Sequence, residues 1–294
     1  MLFPNTPKMV EDIISVLPLW LRVPAMRYVA AAHALVTFYV GREVLGNHND
    51  EFLRFKNPFP QGTNWEFLAR VIHMAGILFE LRSDPGFPEI CRRMATRDLK
   101  QAHSELSAAA MFKAHGFTIS ARPETSKIGN DFDFSIAGPD VDANVEVWAT
   151  ERQTFDADAL RHRLSDKRKQ LPSDKPAVLV CVFPDHWFDQ VDRLYDYFDT
   201  LTERFFSSTR RINCVLFAHE EFASAEQGGM LLMGGYTVPH GSPRHACPAL
   251  RDALLTGPEM HDRMQAFIAQ PKGPTTIQTQ HEFHRWVNWL IDGK

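Results

Sequence analysis

Residues 177–183, AVLVCVF, form an unbroken apolar run rich in β-branched side chains, and no other stretch constrains the fold as much. A strand with one face in water alternates apolar and polar side chains, whereas an unalternating one is covered on both faces. The run is too short for a buried helix and suits a strand. A second buried strand is predicted at 212–218, with a long helix at 188–206 between the two. Strands that alternate with helices build a mixed α/β sheet covered on both sides.

The rest of the chain can be placed around that sheet. Residues 99–115 read as a helix in which Leu106, Ala109 and Ala110 recur at helical steps, and Gly116 stands where a left-handed stop is expected. A short strand at 117–121 and a polar connection at 122–130 follow. Two acidic strands, 131–137 and 144–149, are joined by GPDVDA, and a basic helix spans 157–171. Upstream, residues 1–98 read as a helical accessory domain. It has helices at 10–21, 24–45, 65–81 and 89–97, breaks at Pro18 and Pro24, and a long loop at 46–64. Downstream, the glycine pairs at 228–229 and 234–235 bracket MLLM and predict a small hairpin. Helices are predicted at 249–255, 258–269 and 281–291, the last carrying Trp286 and Trp289. The expected partition is 1–98, an α/β core at 99–220, and a hairpin with a helical extension at 221–294.

Composition narrows the function classes. A chain of 294 residues with 44% hydrophobic and 23% charged residues can bury a substantial core. A formal net charge of -4 argues against a protein that coats nucleic acid through general positive charge, and leaves room for a local basic groove. Cys91, Cys181, Cys214 and Cys247 form no CxxC pair, which suits reduced thiols in the cytoplasm. The apolar run 28–40 is too short to cross a bilayer and contains His33. Residues 1–8 do not read as a secretory leader. The expectation is a soluble cytoplasmic protein with no membrane partner.

The chemistry-bearing residues lie in the acidic strands and the basic helix. Alternation puts Asp131, Asp133 and Ser135 on one strand face, and Glu146 and Trp148 opposite Val145 and Val147 on the next. If the strands pair, Asp131, Asp133 and Glu146 converge, and three carboxylates suit a hard divalent cation. The competing reading is exposed carboxylates on a half-solvated sheet, although like charges on one strand face repel without a cation. In LRHRLSDKRKQL, Leu160, Leu164, Lys167 and Leu171 share the inward stripe. An ammonium among leucines is costly unless a carboxylate or a metal-bound water lies near Lys167. Its alternative is a side chain snorkelling at the edge of a solvated face. Arg161, His162, Arg163, Arg168 and Lys169 face outward, where they could meet phosphates.

The order of these parts resembles the PD-(D/E)XK, or restriction-endonuclease-like, nuclease superfamily over residues 99–220. The matching segments are GNDFDF at 129–134 and VEVW at 145–148. The resemblance implies a restriction-endonuclease-like mixed sheet flanked by helices, an α/β (α+β) fold with an N-terminal helical domain added. It also implies Mg²⁺ or Mn²⁺ held by Asp131 or Asp133 with Glu146, and cleavage of nucleic-acid phosphodiesters, DNA before RNA. Glu105 matches a helical glutamate that some members place near the metal, and Gln170 matches a glutamine often kept near the site. Many members act as dimers, so a homodimer, or a protein partner at the helical domain, is a further expectation. The departure is Trp148, which stands where the family has its lysine. Three readings follow: an inactive binding module on a nuclease fold, a lysine relocated to the next helix as Lys167, or a metal that activates water unaided. His240, His245 and Cys247 lack the second ligand pair of a zinc site, and His281 and His284 have no evident third ligand. No GxGxxG, P-loop lysine or GxSxG motif occurs.

Overall fold

The computed structural model describes residues 15, 24–41, 65–123, 129, 131–150, 152–225 and 228–255. The helices expected at 10–21, 258–269 and 281–291 and the loop at 46–64, with His281, His284, Trp286 and Trp289, lie outside them.

The described residues divide into two compact units. One holds the residues up to Ala110 together with Phe222–Leu231, and the other holds Met111–Glu221 and the residues from Leu232 onward. In the first unit, helices α1 (Pro24–Val40) and α2 (Trp65–Leu81) pack together, and α1 also meets α3 (Phe87–Thr96). The turn SDPGF ends α2, and Pro88 opens α3 within its first turn, where a missing amide hydrogen costs nothing. Helix α4 (Leu99–Ala114) ends as expected at Gly116, whose φ of 85° is left-handed. The amide of Phe117 reaches the Phe112 carbonyl and that of Gly116 reaches Lys113, the paired bonds of a Schellman stop.

The sheet has six strands in sequential order: β1 (Thr118–Ala121), β2 (Phe134–Gly138), β3 (Val141–Ala149), β4 (Ala177–Phe183), β5 (Cys214–Ala225) and β6 (Gly228–Pro239). The first three are antiparallel neighbours, and β3, β4 and β5 are parallel. Parallel neighbours need crossovers. Helix α5 (Ala157–Lys167) supplies the first, while α6 (Trp187–Gln190) and α7 (Leu194–Ser207) supply the second. A short helix, α8 (Pro248–Leu254), ends the described chain. This is the mixed sheet with flanking helices that the unalternating run predicts, and every residue of β4 is buried. Trp148, Leu179, Cys181, Phe183, Val215 and Phe217 share one sheet face and form a core with Leu160 and Leu164 of α5 and Phe198 of α7.

Two expectations are revised. The helix at 188–206 is two helices, because Val191 is extended and Arg193 adopts a left-handed φ of 60°. That break seats Trp187 in the core, stacked on Phe183 at 5.7 Å, with its indole N–H donating to the Arg152 carbonyl. The small hairpin around MLLM is instead one long strand beside β5. Gly234 and Gly235 sit inside β6 because of close approach: a Cβ at Gly234 would collide with the His219 ring.

Candidate active site

Glu146 is the fourth-last residue of β3, in parallel register with Leu179 and facing the core beside Trp148. Its side chain is 3% exposed, a costly place for a carboxylate without a partner. The partner comes from the last residue of α5. Lys167 Nζ donates to Glu146 Oε1 at 2.5 Å and to Gln170 Oε1 at 3.2 Å. The inward stripe of α5 explains the reach, since Leu160 and Leu164 are buried and the same face carries Lys167 to the sheet. Asp156 caps the helix by accepting the Ala159 amide, and this fixes where the helical count begins.

Gln170 has a second task. Its carbonyl accepts the Asp131 amide at 3.1 Å, so the turn after α5 is tied to the segment entering β2. Asp133 is buried, and its Oδ2 accepts the Val147 amide at 2.8 Å, one residue beyond Glu146. Asp131, Asp133, Glu146, Lys167 and Gln170 are therefore joined through neighbouring hydrogen bonds on β3 and the turn after α5.

The predicted three-acid face does not form. Strand β2 begins only at Phe134, so Asp131 and Asp133 precede it. The Asp133 amide donates to the Val145 carbonyl, although Val145 is already the partner of Phe134. Two residues opposite one make a β-bulge, which breaks the alternation that would align the acids and re-aims Asp133 along β3. Among the described residues no group of three His, Cys, Asp or Glu is placed to hold a metal ion.

Glu105 belongs to the other unit. Its carboxylate accepts from Arg93 Nη1 at 3.1 Å, from Gln101 Nε2 at 3.0 Å and from Arg97. It is held as a structural ion cluster on α3 and α4. The outward cations of α5 divide. Arg161 pairs with Asp158 and Lys169 with Asp166, whose carboxyl is held below the usual range first by that hydrogen bond. Arg163 is exposed, and Arg168 donates to the Ser208 carbonyl. His240, His245 and Cys247 serve as loop tethers, reaching the carbonyls of Thr209, Ser173 and Asp140.

Trp148 is 2% exposed and packs with Phe132, Leu160 and Leu164. The position where the family resemblance expects a lysine is thus core, and the amine near the glutamate comes from α5.

The donor chemistry suits a hard cation. Mg²⁺ typically takes one or two carboxylates and completes its shell with water and substrate phosphate. An ionised carboxylate offers about four lone-pair sites, so a carboxylate that accepts a hydrogen bond, as Asp133 and Glu146 do, can also ligate a cation. Comparison with known proteins adds nothing to this geometry: no family model, curated protein or solved structure matches the chain.

Proposed function

We propose that the protein is a metal-dependent nuclease of the PD-(D/E)XK type in which the lysine is supplied by α5 as Lys167. The observation that carries this reading is the 2.5 Å contact between Lys167 Nζ and buried Glu146. It puts an amine beside the strand glutamate although the strand itself offers Trp148. Asp133 and Glu146 would hold Mg²⁺ or Mn²⁺, which when bound supplies Lewis-acid polarisation of phosphate and a more acidic water. Lys167 is held by its contact with Glu146 and aimed by Gln170. Its ammonium can orient the attacking water and stabilise negative charge that grows on the phosphate oxygens. Asp131 is half-buried, and its amide is anchored to the Gln170 carbonyl, in the turn that steadies Lys167.

Four free cysteines, two of them fully buried with thiols that burial pushes up, support placement in a reducing cytoplasm. No helix among the described residues is long and apolar enough to cross a membrane.

The test is cleavage of labelled DNA and RNA by the purified full chain with Mg²⁺ or Mn²⁺. Glu146→Ala and Lys167→Ala should each lower the rate on the order of 10²–10³-fold. If the parent cuts neither substrate, and Glu146→Ala changes nothing, the reading fails. A second reading, a nuclease fold kept only for binding, is favoured by the burial of Trp148 and by the neutralisation of Glu146 by Lys167. A calorimetric Mn²⁺ titration separates the two, because binding lost in Asp133→Ala would oppose an inert site.

A further inference from the structure

The second unit carries a cleft of about 590 Å³ at the C-terminal end of α7, lined by Arg168, Arg210, Arg211 and Arg244. These cations differ from the paired ones on this unit. Arg161, Lys169 and Lys175 each have an acid beside them, Asp158, Asp166 and Asp142. The arginines of the cleft have only main-chain carbonyls: Arg168 donates to Ser208, Arg210 to Ser242 and Arg211 to Leu171. Among the described residues no carboxylate pairs with any of the four. Arg211 Nε is also buried without a hydrogen-bond partner. Burial, and then the charges of Arg168 and Arg244, hold the Arg211 guanidinium below its ordinary range.

The end of α7 offers some compensation, but a helix C-terminus carries only about half a negative charge. Four guanidiniums, each permanently charged, far exceed it. The walls are fixed before any ligand arrives. His240 is bound to the Thr209 carbonyl at 2.9 Å, and the Arg244 amide to the Arg210 carbonyl at 2.6 Å. The Asn213 side chain bridges the Ala177 amide and the His245 carbonyl. An uncompensated, preformed cluster of guanidinium forks matches the oxygens of phosphate, which arginine binds in bidentate fashion. Its volume exceeds one phosphate and falls in the range of nucleotide-sized ligands. Arg168 directly follows Lys167, so a single turn of chain presents one cation to Glu146 and the next to the cleft.

We infer that this cleft is a phosphate-binding subsite, and that the phosphates it takes belong to a polynucleotide whose neighbouring phosphodiester lies at Glu146 and Lys167. The polynucleotide source rests on the proposed function; the phosphate chemistry rests on the arginines alone.

The experiment measures binding of a labelled DNA duplex to the full chain over a range of salt, with chelator present so that no cutting intrudes, and competes it with pyrophosphate. Parent protein is compared with the Arg210→Gln, Arg244→Gln double variant. Both side chains are exposed, so unchanged thermal unfolding confirms the fold. The expected result is a loss of duplex affinity of about tenfold, a salt slope shallower by about 2, and loss of pyrophosphate competition. The Arg210→Lys, Arg244→Lys variant keeps the charge without the fork and should recover the slope but not the pyrophosphate competition. Equal binding of duplex and pyrophosphate by parent and Gln variant would overturn the subsite. Loss of pyrophosphate binding with duplex binding intact would overturn the polynucleotide assignment and leave a small phosphate ligand. If the parent cuts nothing, yet arginine-dependent binding persists, the nuclease reading falls and the subsite stands.

Discussion

Glu105 and Glu146 are both buried glutamates with cationic partners, yet they are held in opposite ways. Glu105 meets two arginines and a glutamine, so planar forks surround its carboxylate on a helical scaffold. Glu146 meets one lysine, which is in turn steadied by Gln170. Arginine stays charged in nearly any surroundings and gives rigid geometry, whereas lysine is a compact, rotatable donor whose protonation responds to its environment. The first arrangement suits permanent structure. The second leaves a carboxylate and an amine that can exchange partners, which is what a reacting site needs.

The largest expected effect asks whether the cation must come from the helix. Trp148→Lys removes a buried ring from the core and should cost about 4–5 kcal/mol in urea unfolding. Placed in a Lys167→Ala background, it should not restore cleavage. Restoration would show that the strand position still serves the site and that the cation need not come from the helix.

Next comes the division of labour itself. Glu105→Ala leaves Arg93 buried at 4% side-chain exposure and should destabilise by about 3 kcal/mol, because Glu89 still pairs with that arginine. Metal-dependent cleavage per folded molecule should be unchanged. A stable Glu105→Gln protein that no longer cuts would move Glu105 into the site. The double variant Glu146→Gln, Lys167→Met should differ from the parent by less than about 2 kcal/mol, since a buried pair replaced as a pair is often near neutral. Its activity should be gone.

The smallest effect is a pH slope in the arginine cluster. The Glu89 carboxyl lies below its ordinary value, first through its hydrogen bond from Arg92, against burial, and then through Arg93. A depressed acid stabilises the fold above its unfolded value near 4.5, and that contribution is lost as pH falls through the lower folded value. Glu89→Gln should therefore flatten the acid side of the stability profile by less than about 1 kcal/mol and leave neutral pH nearly untouched.

Much of the frame was legible because its signals are local. An unalternating strand, a glycine stop at 116 and the leucine stripe of α5 each depend on a few neighbouring residues. The stripe even places Lys167 inward without knowledge of what it meets. The bulge at Asp133 was not legible, because it depends on which carbonyl across the strand pair accepts an amide, and alternation assumes the ladder stays regular. The arginine cleft was hidden for another reason. Arg168, Arg210–Arg211 and Arg244 lie on three segments far apart in sequence, gathered where α5 ends and where the chain enters β5 and leaves β6. Glu105 carried a pattern that fitted a site, while the arginines that claim it lie 12 and 8 residues earlier, on the preceding helix and at its C-cap.

The Asp156 cap has a consequence for how this chain can vary. An amine on a strand is set by parity, so any even shift keeps it facing the site. An amine at the end of a capped helix is set by angle: one residue inserted between the cap and Lys167 turns it by about 100° and advances it by about 1.5 Å. Descendants of this protein should accept length changes in the connection before Asp156 and refuse them across residues 157–167.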